Sequence, residues 1–278
     1  MNYINVGKEN SNNIDLYFED RGLGKPVVLI HGFPLSGAAW EKEVAALIKA
    51  GYRTITYDRR GFGKSSQPKT GYDYDTFAAD LNTLMTKLDL KDVVLVGHSM
   101  GTGEIARYLS AYGSKRVKKA VFIAPIPPFI LKTENNSEGI DQSVFDAIMK
   151  SIKVNQLNYL AKFFSDFYNL DVNLDKLVSK EVVRSNMDIA AHASPTAILS
   201  CIPTWLTDFR KDLPKINIPA LIIQGDADRI LPLPITGKRL HEKINGSKLV
   251  VIKNGPHGIP WTHAEKINHE LLNFLSKE

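Results

Sequence analysis

The chain predicts an α/β fold: a mostly parallel sheet of eight strands flanked by helices, with a helical insertion in its second half. Three observations carry this. Short apolar, β-branched runs alternate with helix-forming segments before residue 125 and after residue 213, the pattern of parallel strands with helices on both faces. Between those limits the alternation stops and apolar residues recur at helical spacing. With 278 residues and 44% hydrophobic content the chain can bury one large core.

Taken in order, short strands begin near Tyr3 and Ile14, the second alternating through Leu16 and Phe18. A strand at Val27–Ile30 follows, then a helix around Ala38–Ala50, the strand Arg53–Tyr57 and a helix near Asp75–Leu88. Val93–Val96 is a buried strand, Glu104–Leu109 favours helix, and Ala120–Ile123 is again apolar. In the insertion, Phe145, Ile148, Ile152, Leu157, Leu160, Phe163, Phe164 and Phe167 are spaced like helix faces, and Asn135–Ser137 reads as an exposed turn. Ile218–Gly225 and Leu249–Ile252 supply the last strands, ahead of a polar-rich C-terminal helix. Residues 1–124 and 214–278 are therefore expected to form the core, and 125–213 a helical cap over the site. There is no internal repeat or low-complexity segment.

The sharpest local signal is Gly97-His98-Ser99-Met100-Gly101, which breaks an apolar strand just before helix-forming residues. Glycines on both sides tolerate a strained strand-to-helix turn that lifts the serine hydroxyl from the sheet, while the helix start aims free N–H groups at whatever the serine attacks. A serine is a poor nucleophile without a histidine base, and the base needs a carboxylate to hold its tautomer. Downstream, one strand opens into Asp226-Ala227-Asp228 and the next into Asn254-Gly255-Pro256-His257. Acid and histidine then lie past the C-terminal ends of strands, in the chain order of a nucleophile elbow.

With these motifs in place the chain resembles the α/β-hydrolase superfamily, and within it the branch of cofactor-free haloperoxidases (non-haem chloroperoxidases), perhydrolases and esterases. The resemblance covers nearly the whole chain. It rests on His31-Gly32-Phe33-Pro34, Tyr57-Asp58-Arg59-Arg60-Gly61-Phe62-Gly63-Lys64-Ser65-Ser66, Gly97-His98-Ser99-Met100-Gly101, Ile126-Pro127-Pro128, Gly225-Asp226-Ala227-Asp228 and Pro256-His257-Gly258. It implies that Ser99 is the nucleophile, Asp228 the orienting acid and His257 the general base, with Asp226 satisfying nearby loop N–H groups. Thr102 departs from the branch, which often carries a third glycine there; its Cβ is expected to narrow the elbow without removing a catalytic part.

A tetrahedral intermediate needs two backbone donors. Met100, after the nucleophile, supplies one N–H, and the resemblance places the other at Phe33. Pro34 restricts Phe33 to an extended conformation; a Phe33 carbonyl turned inward would offer hydrogen peroxide an acceptor. Pro34, Ile126, Phe163, Ile230 and Ile259 are expected pocket walls, with Phe33 and Met100.

Other signals point away from other chemistries. Gly61-x-Gly63-Lys64-Ser65 looks like the end of a phosphate loop, but Asp58 stands where its first glycine is needed. Arg59 and Arg60 are expected to brace their own loop. His241-Glu242 begins like a zinc-protease motif, but Asn245 replaces the second histidine, and His263 and His269 lack metal-like partners. His31 and His98 are expected as packed, hydrogen-bonded residues. The net charge of +5 is mild, and its densest cluster, Lys115–Lys119, suits the solvated start of a strand better than a nucleic-acid patch. Cys201, the single cysteine, is expected to pack in the cap and precludes an intrachain disulfide, which fits a reducing compartment. Residues Met1 to Glu19 lack an apolar signal core, and no apolar run approaches the roughly 18 residues of a membrane span. A cytoplasmic protein with no cofactor or metal, no nucleic-acid partner and no membrane is expected. Its oligomeric state is left open.

The expected function is acyl transfer through Ser99, Asp228 and His257 on a small ester or carboxylic acid, with hydrogen peroxide able to replace water. A binding or signalling module on the same fold is the rival class, since fold does not fix function. Hydrolysis of a lactone or lactam is a further enzymatic alternative; dehalogenation would need an aspartate at position 99.

Overall fold

The computed structural model describes residues 2–277. Eight strands form one sheet: β1 (Tyr3–Glu9), β2 (Asn12–Arg21), β3 (Pro26–Ile30), β4 (Arg53–Tyr57), β5 (Val93–His98), β6 (Val117–Ile123), β7 (Ala220–Gly225) and β8 (Lys248–Ile252). Their order is β1-β2-β4-β3-β5-β6-β7-β8. β1 and β2 pair antiparallel with each other, and β2 antiparallel with β4; every later pairing is parallel. The parallel strands are apolar on both faces because both are covered. Alternate residues divide cleanly: Val27, Leu29, Val94, Val96, Val121 and Ile123 belong to one buried cluster, while Val28, Ile30, Leu95 and Phe122 belong to the other.

Helices α1 (Glu41–Lys49) and α11 (Ala264–Ser276) cover the first face through Val44, Leu47, Ile267, Leu271 and Leu275. α2 (Tyr74–Lys87) and α3 (Met100–Tyr112) cover the second through Phe77, Leu81, Ile105 and Leu109. The helix expected around Ala38–Ala50 is split: a 3-10 turn at Gly37–Trp40 precedes α1. Asp58 Oδ1 accepts the Gly37 N–H at 2.8 Å and so tightens the first turn. β6 starts three residues before the expected Ala120, because Val117 and Lys119 already pair with Val93 and Val94 of β5, the Lys119 stem following the strand while Nζ donates to the Phe274 carbonyl at 2.9 Å.

Between β6 and β7 the chain forms α4 (Gln142–Val154), α5 (Gln156–Tyr168), α6 (Leu170–Asn173), α7 (Lys180–Ala191) and α8 (Pro195–Thr204). Four of these start on a side chain that accepts an N–H from their own first turn: Asp141, Asn155, Ser179 and Ser194. After β7 come α9 (Gly237–Lys243) and, beyond β8, α10 (Ile259–Thr262). Among the described residues no helix is long and apolar enough to cross a membrane.

Strand order reverses between β3 and β5: the chain runs from β3 out to β4 and returns to the other side of β3. Two connections leave the sheet in opposite directions there, opening a crevice at the carboxyl ends of the strands.

Candidate active site

That crevice holds Ser99, between the last residue of β5 and the first of α3. Its backbone sits at φ 52°, ψ −119°, a conformation that a non-glycine residue keeps only where its surroundings impose it. They do so here. The Ser99 N–H donates to the Ile123 carbonyl at 2.8 Å. A Cβ at Gly97 would stand 2.7 Å from the Gly101 carbonyl oxygen, and one at Gly101 2.4 Å from that of Ile30, so neither flank of the turn admits a side chain. The Thr102 hydroxyl donates to the Ser99 carbonyl and accepts the Ile126 N–H at 3.1 Å. Sequence reasoning missed this bond, having treated Thr102 only as bulk.

His257 and Asp228 arrive from the loops after β8 and β7. His257 Nε2 lies 2.8 Å from Ser99 Oγ and Nδ1 lies 2.8 Å from Asp228 Oδ2. A carboxylate only accepts, so Nδ1 carries the proton and Nε2 is left to accept from the hydroxyl. Asp228 Oδ1 accepts the N–H groups of Ile230 at 2.9 Å and Leu231 at 2.8 Å; the acid is thus held from both sides. Asp226 points elsewhere and accepts the Asn254 N–H at 2.6 Å. His257 is fully buried, with the edge of Phe167 against it at 5.2 Å.

His31 and His98 are structural neighbours. His31 Nε2 accepts the Arg59 N–H at 2.9 Å, and burial holds the ring neutral. His98 Nε2 donates to the His257 carbonyl at 3.0 Å. Burial, reinforced by the nearby His257, pushes its pKa down to about 3. Arg59 pairs with Glu104 at 2.9 Å and Arg60 with Asp80 at 2.7 Å, all four buried, bracing the loop after β4. Cys201 is fully buried and its thiol is pushed up to about 12 by burial.

The loop after β3 lies against the serine: a Cβ on Gly32 would reach within 3.0 Å of Ser99 Cβ. The N–H groups of Phe33 and Met100 take part in none of the turn, loop or cap backbone hydrogen bonds among the described residues. Both are free for a ligand. In front of Ser99 opens a cavity of about 480 Å³. Phe33, Ile126, Phe163 and Ile230 line it as expected, together with Tyr159, Trp205, Ile130 and Phe145, which the sequence did not reveal. Three expected walls are corrected. Met100 is fully buried in the core cluster and its side chain does not line the cavity, because its place at the first turn of α3 packs it beneath the elbow. Ile259 is fully buried in the core cluster beneath the opposite face of the sheet, because α10 turns its apolar side inward. Pro34 is buried and does not line the cavity; the Phe33 ring takes the front, packed edge-on against Phe163 and Trp205.

A family model described as the alpha/beta hydrolase fold matches residues 25–264. A Synechocystis sp. protein with a provisional non-heme chloroperoxidase name is 61% identical over 99% of this chain and 100% of its own length. The bifunctional esterase/perhydrolase of Acinetobacter calcoaceticus is 36% identical, covering 94% of this chain and 96% of that one. The crystal structure of a bromoperoxidase from Bacillus anthracis superposes with a TM-score of 0.95 at 49% identity, covering 99% of each chain.

Proposed function

The chain belongs to the α/β-hydrolase family, in its haloperoxidase and esterase branch, and from that membership we propose that it is a serine esterase acting through Ser99, His257 and Asp228. The observation that carries this reading is His257 joined at 2.8 Å to both the hydroxyl and the carboxylate. Nucleophile, base and orienting acid need that geometry together.

In the proposed cycle His257 Nε2 takes the Ser99 proton as Oγ attacks the ester carbonyl. The Phe33 and Met100 N–H groups receive the developing oxyanion. His257 then protonates the leaving alcohol, and Asp228 steadies the imidazolium. Water, deprotonated by His257, attacks the acyl-serine and releases the acid. Residues 125–213 act as the cap, α4 and α5 shaping the acyl site through Phe145, Tyr159 and Phe163.

The same acyl-serine can be resolved by hydrogen peroxide, which gives a peracid in place of the acid. One relative is named for both esterase and perhydrolase activity, which supports this second outcome. The peracid then oxidises bromide in solution to hypobromous acid and returns to the carboxylic acid, so halide oxidation needs no step at a metal.

A panel of short p-nitrophenyl esters tests the reading. The wild-type chain should turn them over and lose activity to a serine-directed organophosphate. Ser99→Ala should lower kcat by several orders of magnitude while the folded state persists. Activity close to wild type in that variant would overturn the assignment.

A further inference from the structure

A second cavity, of about 340 Å³, lies behind His98 and shares no lining residue with the cavity in front of Ser99. Leu35, Trp40 and Trp261 wall it on the core side, and Val182, Ser185 and Ile189 of α7 close it from above. Its buried polar groups are His98, 4% exposed, with His31, Asn186 and the indole of Trp40. His31 and Asn186 have protein partners, while the Trp40 N–H has none among the described residues and can donate to the oxygen of an occupant. The Nε2–H of His98 is committed to the His257 carbonyl, and the ring is neutral at working pH, so Nδ1 is a bare acceptor. Among the described residues nothing donates to it. Gly32 leaves the approach open: a Cβ there would stand 2.8 Å from Nδ1, and Gly32 itself lines this cavity.

A buried acceptor without a donor favours a ligand that supplies one. The walls ask for an apolar, ring-sized body. Glu41 and Glu181 also border the cavity and are exposed, which repels anions. A cation would have to leave water for a chamber whose buried polar groups carry no charge.

We propose that this rear cavity binds a neutral phenol, its ring against Leu35, Ile189 and Trp261 and its hydroxyl donating to His98 Nδ1. The occupant is then one side chain from the main chain of His257. Binding at this site does not depend on the acyl-transfer reading, so failure of either leaves the other standing.

Titration of the whole chain with 4-fluorophenol, followed by fluorine NMR, tests it. Saturable binding is expected, with 4-fluoroanisole, which keeps the ring and lacks the donor, binding about tenfold more weakly or worse. Ser185→Trp, an exposed position on α7, should fill the cavity and weaken 4-fluorophenol about tenfold or more. Ile148→Trp, which fills the front cavity, should leave the affinity within about twofold. Equal binding of the anisole, loss in Ile148→Trp with retention in Ser185→Trp, or no saturable binding would each overturn the proposal. The ligand comparison needs no variant and therefore holds whether or not the substitutions fold.

Discussion

The hydroxyl of Thr102 donates to the carbonyl oxygen of Ser99, one turn back in the chain, and so ties the first turn of α3 to the strained residue that precedes it. The Thr102 hydroxyl oxygen in turn accepts the buried Ile126 N–H at 3.1 Å, linking the elbow to the chain leaving β6. Thr102→Val keeps the shape and removes both bonds, stranding a donor in the interior. We expect a loss of about 1–3 kcal/mol and a fall in kcat/KM for p-nitrophenyl acetate as the Ser99 backbone relaxes. Calorimetry and steady-state kinetics on one preparation check both; an unchanged melting temperature would show that the bond carries no stability.

The two aspartates after β7 separate by partner. Asp228 holds His257, whereas Asp226 holds the Asn254 N–H. Asp228→Asn should lower kcat by about 10³- to 10⁴-fold through loss of the correct tautomer, with a modest change in stability. Asp226→Asn should retain most activity and melt at a lower temperature. The reverse ranking in kcat would mean that the acid has been assigned to the wrong residue.

Bromination of an activated carbon acid should require peroxide together with acetate or a similar carboxylate, persist in chelator, and vanish in Ser99→Ala. Bromination in carboxylate-free buffer, or its loss on adding chelator, would rule out the peracid route.

Glu43 supplies a pH dependence unconnected with catalysis. On α1 it is fully buried, and among the described residues neither carboxylate oxygen has a partner. Burial raises its pKa from 4.5 to about 8. Between those values the unfolded chain has released the proton that the folded protein keeps, so stability falls as pH rises through that interval. Glu43→Gln removes the titration. The variant should match wild type near pH 4.5 and exceed it by roughly 2 kcal/mol or more at pH 8, read as a melting temperature several degrees higher. Parallel melting curves for the two chains across that range would refute the assignment.

What the sequence revealed follows from what is local. The β5 run Val93-Val94-Leu95-Val96 and the Gly-x-Ser-x-Gly break announce their own geometry, as do the carboxylate and histidine behind β7 and β8, because strand, turn and chain order are written over a few neighbouring residues. Pocket walls are not. Trp205 reaches Phe33 across more than 170 positions of sequence to stand 4.9 Å from its ring, and Ile130 and Phe145 join the cavity only through the packing of separate segments. Tyr159 left a partial trace: with Phe163 and Phe167 it repeats every four residues, the spacing of one helix face. Ile259 misled because adjacency to His257 in sequence does not decide which way a short helix faces.

The end of α5 is stitched to the loops that carry the acid and the histidine. The Gly258 N–H donates to the Phe167 carbonyl at 2.8 Å, and Asn169 Nδ2 donates to the Ala227 carbonyl at 2.8 Å. Swinging the whole insertion away on a hinge would tear both stitches and drag His257 and Asp228 out of line with Ser99. α4 differs: its residues Val144, Ala147 and Ile148 border the cavity, yet among the described residues it makes no such bond to either loop, so displacing it would leave both stitches intact.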